Sequence, residues 1–143
     1  MVIQLLPNQI EQVWDVIKFA SKSVDHVPEI DAPKYFRELL ISLLNGKSQC
    51  FVRVDEQKQL LGLWITRITL DEMTKERSLA ISCLYSFKSV DPIQWESDLR
   101  EVKKFAYSMK CKKLIAYSNN PRVFEIAKSI GFTERFRSLS LEV

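Results

Sequence analysis

Few side chains in this 143-residue chain are of a type and spacing that performs chemistry. Cys50, Cys83 and Cys111 are odd in number, widely spaced and form no C-x-x-C, and His26 is the single histidine. Zinc sites draw on clustered cysteine and histidine ligands, so no metal site is expected. Each cysteine sits among strand-like residues, where a reduced thiol behaves as a small hydrophobe, and a reducing cytoplasm suits all three. Asp71, Glu72 and Glu76 would attract a cation, but Lys75 and Arg77 are mixed among them, as on a solvated loop. His26 has no cysteine or serine motif beside it and reads as a loop residue. No P-loop, dinucleotide fingerprint or nucleophile elbow occurs. Basic charge gathers late in the chain: residues 1–98 carry 11 basic and 14 acidic side chains, residues 99–143 carry 10 and 4. A basic end attracts phosphates, on a cofactor or on nucleic acid. Lys103, Lys104, Lys110, Lys112 and Lys113 are not interleaved with aromatics, so nucleic acid is not expected as a partner.

These residues must be positioned by a succession of short elements. The length predicts one domain over residues 1–143, large enough for a core, and a hydrophobic content of 46% is ordinary for a globular chain. No apolar run reaches the ~18–20 residues that span a bilayer, and the start has no basic, long apolar leader. No membrane partner is expected. Residues 2–6 read as a strand ended by Pro7. Ile10, Val13, Trp14 and Ile17 follow at helical spacing. A second helix begins at Asp31, expected as N-cap with Pro33 in the first turn, buries Phe36, Leu39, Leu40, Leu43 and Leu44, and stops at Asn45-Gly46. Strands at 50–54 and 60–69 flank the turn 55–58 as a hairpin, with Gly62 marking a bulge or a close backbone approach. A third strand covers 79–87. Trp95, Leu99, Val102, Ala106 and Met109 then line a helix whose start combines Asp91 as cap, Pro92 as first residue and Gln94 as capping-box partner. Trp14, Trp64 and Trp95 fall on apolar faces as core. A strand at 114–118, an Asn119-Asn120-Pro121 turn that also serves as helix cap, a helix at 121–130, a Gly131-Phe132 stop and a closing strand complete the chain.

The C-terminal order, strand, Asn-Asn-Pro turn, amphipathic helix, Ile130-Gly131-Phe132 and alternating strand, resembles the GNAT superfamily of N-acetyltransferases. The full element order matches that family along essentially the whole chain. Leu43-Leu44-Asn45-Gly46-Lys47, the run from Gly62 and the run from Lys104 look most like small GNAT-like proteins encoded by tailed phages. The resemblance implies an α/β fold with a mixed, mostly antiparallel twisted sheet of about six strands and about four helices on both faces. It also implies acetyl-CoA as cofactor, with its pantetheine arm along the strand 79–87 and its pyrophosphate on the N-terminus of the next helix. Such a site would here use Leu84, Tyr85, Ser86, Phe87, Lys88 and Ser89, with Asn119 and Asn120 near the pantetheine.

The chain departs from the family's pattern where the chemistry belongs. The family's phosphate loop, Q/R-x-x-G-x-G/A, has no glycine here, and Asp91, Pro92 and Glu96 occupy the helix start with negative charge and a missing donor. The family's tyrosine, four residues before the glycine of the Gly-Phe stop, corresponds to Ala127. Phe124 nearby has no hydroxyl, so Tyr117 and Tyr85 are the replacement candidates for general acid. Strands 60–69 and 79–87 carry no carboxylate to act as base. Two functions follow: an acetyl-CoA-dependent N-acetyltransferase acting on a small amine or protein amine through a degenerate site, or a non-catalytic binding or assembly module. The second would be a virion-associated or host-interacting phage protein, located in host cytoplasm or virion, with a protein partner or as a homo-oligomer. A dimer through the closing strand 136–143, beginning at Phe136, belongs to that reading.

Overall fold

The computed structural model describes residues 1–143 apart from His26, Asn119 and Phe136, so the expectations placed on those three lie outside the described residues. Five strands form one sheet in chain order: β1 (Val2–Gln4), β2 (Ser48–Val54), β3 (Leu60–Leu70), β4 (Arg77–Ser86) and β5 (Lys113–Ala116). The first four pair antiparallel, and β5 joins β4 in parallel. Helices α1 (Pro7–Gln12), α2 (Trp14–Asp25), α3 (Ala32–Leu44), α4 (Pro92–Ser108) and α5 (Pro121–Ser129) complete the layers.

The sheet's alternation explains the two faces. Phe51 and Trp64 stand opposite each other in the β2–β3 register, and both meet α4: Phe51 through Phe105 at 5.4 Å and Trp64 through Trp95 at 5.8 Å. On the other face, Tyr85 of β4 meets Phe19 of α2 at 5.8 Å. Ile10, Ile17, Ala20, Leu63, Leu79, Ile81, Val102 and Val123 are buried between these layers, each large aliphatic stabilising the fold by about 1.5–3 kcal/mol.

One polar group crosses this core. Arg53 of β2 and Asp98 of α4 are both buried and pair through Nη2 and Oδ2, with Arg53 Nε donating to Asp98 Oδ1 at 3.1 Å. The Trp64 indole N–H donates to the same carboxylate at 3.4 Å, and the guanidinium lies 5.0 Å from the Trp95 ring. Both carboxylate oxygens and the guanidinium's Nε and Nη2 thus find protein partners where burial removes water.

Several local expectations change. The first helix is interrupted at Val13, where α1 ends, and Trp14 then sits edge-on to Phe36 at 6.3 Å. Asp31 precedes α3, but its carboxylate makes no cap bond. Gly62 is a close approach: a Cβ there would meet the Tyr85 carbonyl oxygen at 2.8 Å. The bulges lie beside it, at Arg53/Val54 and Ile65/Thr66. Gln94 closes no capping box on α4; its backbone N–H bonds the Asp91 carbonyl at 2.9 Å. The closing strand does not form among the described residues beyond Gly131. Glu134 turns back to Arg137 at 2.9 Å and Lys128 at 4.0 Å, and β5 is only four residues long, a short template for a further strand. Leu139 and Leu141 are left exposed.

Removing one member of the buried pair leaves the other charge stranded, so Asp98→Ala should lower unfolding free energy by about 3–5 kcal/mol in denaturant titration. Gly62→Ala should also destabilise, because its Cβ meets backbone rather than a movable side chain; an unchanged denaturation midpoint would refute the close approach.

Candidate functional site

Strand β4 carries the site because it leaves its neighbour. The β4–β5 ladder ends at Ile81 opposite Ala116, with a last bond from the Tyr117 N–H to the Ile81 carbonyl at 3.3 Å. At that level Ser82 is the extra residue of the bulge opposite Ile65/Thr66, and β4 runs on to Ser86. A bulge bends its strand, and among the described residues the outer edge from Cys83 to Ser86 has no strand beside it.

A cavity of about 620 Å³ fills the gap, walled by the end of α2, the end of β4, the start of α4 and one face of α5. Leu84, Tyr85, Ser86, Trp95, Asn120 and Arg122 are among its lining residues. Tyr85 is held between Phe19 and Phe87, the latter at 4.9 Å. Asn120 ties the wall together: its Oδ1 accepts the Arg122 N–H at 2.9 Å, and its Nδ2 donates to the Val24 carbonyl at 3.2 Å.

A second cavity of about 510 Å³ lies on the other side of the α2 end, lined by Asp25, Asp31, Tyr35, Tyr117 and Ser118 with Val27 and Pro28. The Tyr35 hydroxyl donates to Asp25 Oδ2 at 2.5 Å. Burial, then this carboxylate, hold the phenol protonated far above its usual range. Beneath it, burial and then Asp25 push the Cys83 thiol up, while burial alone takes Cys50 to about 12. Among the described residues no group of three or more His, Cys, Asp or Glu converges on a metal position.

The residues singled out from sequence are thus divided. Leu84, Tyr85, Ser86 and Asn120 line the first cavity, and Tyr117 lines the second. Phe87, Lys88 and Ser89 follow β4 on an exposed stretch and line neither. Asn119 lies outside the described residues. Ala127 is buried at 3% exposure, and the hydroxyl two residues on, Ser129 Oγ, donates to the Ile126 carbonyl at 2.6 Å. Arg122, Ser23 and Val24 were not foreseen as lining residues. Arg122 is two positions after the Asn120 cap, a signal readable in sequence, whereas the approach of α2 from 96 residues away is not.

Both helix starts at the first cavity spend their own donors. On α4, Pro92 has no N–H, the Ile93 N–H goes to Asp91 Oδ1 at 3.0 Å and the Gln94 N–H to the Asp91 carbonyl at 2.9 Å. On α5, Pro121 has none, the Arg122 N–H goes to Asn120 Oδ1 and the Val123 N–H to the Asn120 carbonyl at 3.1 Å.

Solved acetyltransferases superimpose on this chain over nearly their whole length. A "predicted acetyltransferase" of Clostridium acetobutylicum, solved with acetyl-CoA, superimposes with a TM-score of 0.75 at 14% identity, covering 99% of this chain and 95% of that one. The fold is that of the GNAT N-acetyltransferases. The ribosomal-protein-alanine N-acetyltransferase of Brucella melitensis gives 0.71 at 12% identity, covering 100% and 99%. An aminoglycoside N-acetyltransferase in complex with CoA gives 0.71 at 12%, covering 100% and 93%. No protein-family model matches the chain, and no curated protein matches it by sequence. No helix among the described residues is long and apolar enough to cross a membrane.

Two measurements probe this geometry. Asn120→Ala removes both a cap and the tie to α2 and should cost about 1–2 kcal/mol of stability; a neutral substitution would show that the tie is not held in solution. Thiols whose ionisation is pushed up react slowly as nucleophiles. A thiol reagent at pH 8 should therefore label Cys111 in the native protein and all three cysteines in denaturant. Because the folded thiols of Cys50 and Cys83 ionise above the ordinary value of 9.0, their stabilising effect is full below it and fades as pH rises, for Cys50 towards about 12.

Proposed function

We propose that residues 1–143 form one GNAT-like domain that binds acetyl-CoA in the first cavity and transfers the acetyl group to a primary amine through a reduced catalytic set. The observation that carries this reading is the unpaired β4 edge, Cys83 to Ser86, opening onto a cavity of about 620 Å³. The backbone groups of Leu84, Tyr85 and Ser86 suit an extended amide arm, which would add to that edge as a strand would. The cavity's size and its apolar wall of Val24, Leu84 and Trp95 fit such an arm. The coenzyme, when bound, supplies an activated thioester.

In this reading Tyr85 holds a proton at its hydroxyl on the cavity wall for the departing thiolate. Tyr117, in the second cavity, faces the acceptor side, where Asp25 and Asp31 favour a cationic amine over an acid. Strands β3 and β4 supply no carboxylate base, so the acceptor's proton leaves to water or to a carboxylate of the cavity walls before attack. Asn120 flanks the arm's path, and Phe87, Lys88 and Ser89 follow β4 outside the cavity lining.

Calorimetric titration with acetyl-CoA and with coenzyme A tests the reading. Micromolar affinity supports it, and Tyr85→Phe should then lower kcat by about 10²-fold or more with little change in coenzyme affinity. No binding at millimolar ligand overturns it.

One observation favours a second reading. The α4 N-terminus spends its own donors on Asp91, and Ala127 stands where the family places its tyrosine. A non-catalytic binding or assembly module, such as a virion-associated or host-interacting phage protein, needs neither. Its exposed Leu139 and Leu141 would then serve a protein partner or a second copy. Native mass measurement decides: an oligomer without coenzyme binding supports the module, and a monomer that turns over acetyl-CoA ends it.

A further inference from the structure

We propose that Arg122 is the phosphate anchor of this chain, taking over from the helix N-terminus that the glycine-free loop has closed. The proposal rests on the reading that the first cavity takes coenzyme A. A phosphate at a helix start needs unspent N–H groups, and neither helix that walls this cavity offers them at positions 92–94 or 121–123. Asp91 also sets a carboxylate where an anion would approach α4.

The remaining source of positive charge at the cavity is a side chain. Its charged lining residues are Arg122 and Glu125. Among the described residues Arg122 enters no salt bridge, so its guanidinium is not committed to a carboxylate. Its backbone is fixed: Pro121 precedes it, and its N–H is held by Asn120, which is itself bonded to α2. A planar guanidinium presented from a rigid turn can grip phosphate oxygens in pairs, which an exposed lysine such as Lys88 does as a point charge only. Glu125, one turn further along α5, opposes the same anion and weakens its hold.

The test is calorimetric, with coenzyme A and with pantetheine, which has the arm but no phosphate. Hydrogen bonds to a charged group are worth enough that Arg122→Glu should weaken coenzyme A binding about tenfold or more, while pantetheine binds as it does to the unaltered protein. Glu125→Gln should tighten coenzyme A about twofold or more, and Lys88→Glu should change it less than Arg122→Glu does. Raised salt should weaken coenzyme A binding to the unaltered protein and leave the Arg122→Glu variant nearly unaffected. Equal coenzyme A affinity for Arg122→Glu and the unaltered protein overturns the anchor while the coenzyme reading stands. An equal loss for pantetheine overturns it too, by showing that the cavity's shape has changed. If the unaltered protein binds neither molecule, the coenzyme reading fails and the anchor falls with it.

Discussion

The buried pair of Arg53 and Asp98 holds the layers in the relation that makes the cleft. It joins β2 to α4 across the core, and its neighbours Trp64 and Trp95 lean on it from the sheet and the helix. Trp95 is also part of the cavity wall. The position of α4 over the sheet, and with it one side of the site, therefore depends on charges that would be costly to bury apart. Two hydrogen bonds from one guanidinium to one carboxylate add a directional tie to the aromatic packing of α4 on the sheet.

The gap that α4 borders is opened by the bulge at Ser82 and kept by α2. β5 pairs with β4 only as far as Ile81, one residue before the bulge at Ser82. The Asn120–Val24 bond and the Phe19–Tyr85 contact then bring the end of α2 over the gap from the other face. Two cavities result, one on each side of that helix end, and they differ in character. The first mixes apolar side chains with hydroxyls, Asn120, one guanidinium and one carboxylate, whereas the charged groups of the second are the carboxylates Asp25 and Asp31. That contrast suits a phosphate-bearing donor on one side and a cationic acceptor on the other. It also sets Tyr85 and Tyr117 in different cavities.

Charge at the helix starts decides how an anion is received. Asp91 and Asn120 stabilise their own helices by accepting the first free N–H groups. The same bonds remove the donors that a phosphate would use. Stability of α4 and α5 and anion binding at their ends compete for the same few atoms, and here the helices have taken them.

The sequence by itself determined the order of the elements between residues 32 and 129, the hairpin, α4 and its buried stripe, and the self-capped start of α4, because each follows from local spacing and short-range bonds. Residues 79–87 were legible as an inner strand, and Asn120 as a cap, for the same reason. Only the tertiary structure decided what depends on distant pieces meeting. The splay of β4 from β5, the arrival of Val24 beside Asn120, the pairing of Arg53 with Asp98, and Arg122's place on the cavity wall have no periodic signature. The closing strand shows the converse: alternation in residues 133–143 is compatible with a strand, yet a strand exists only where a neighbour offers an edge, and the four residues of β5 do not order one there.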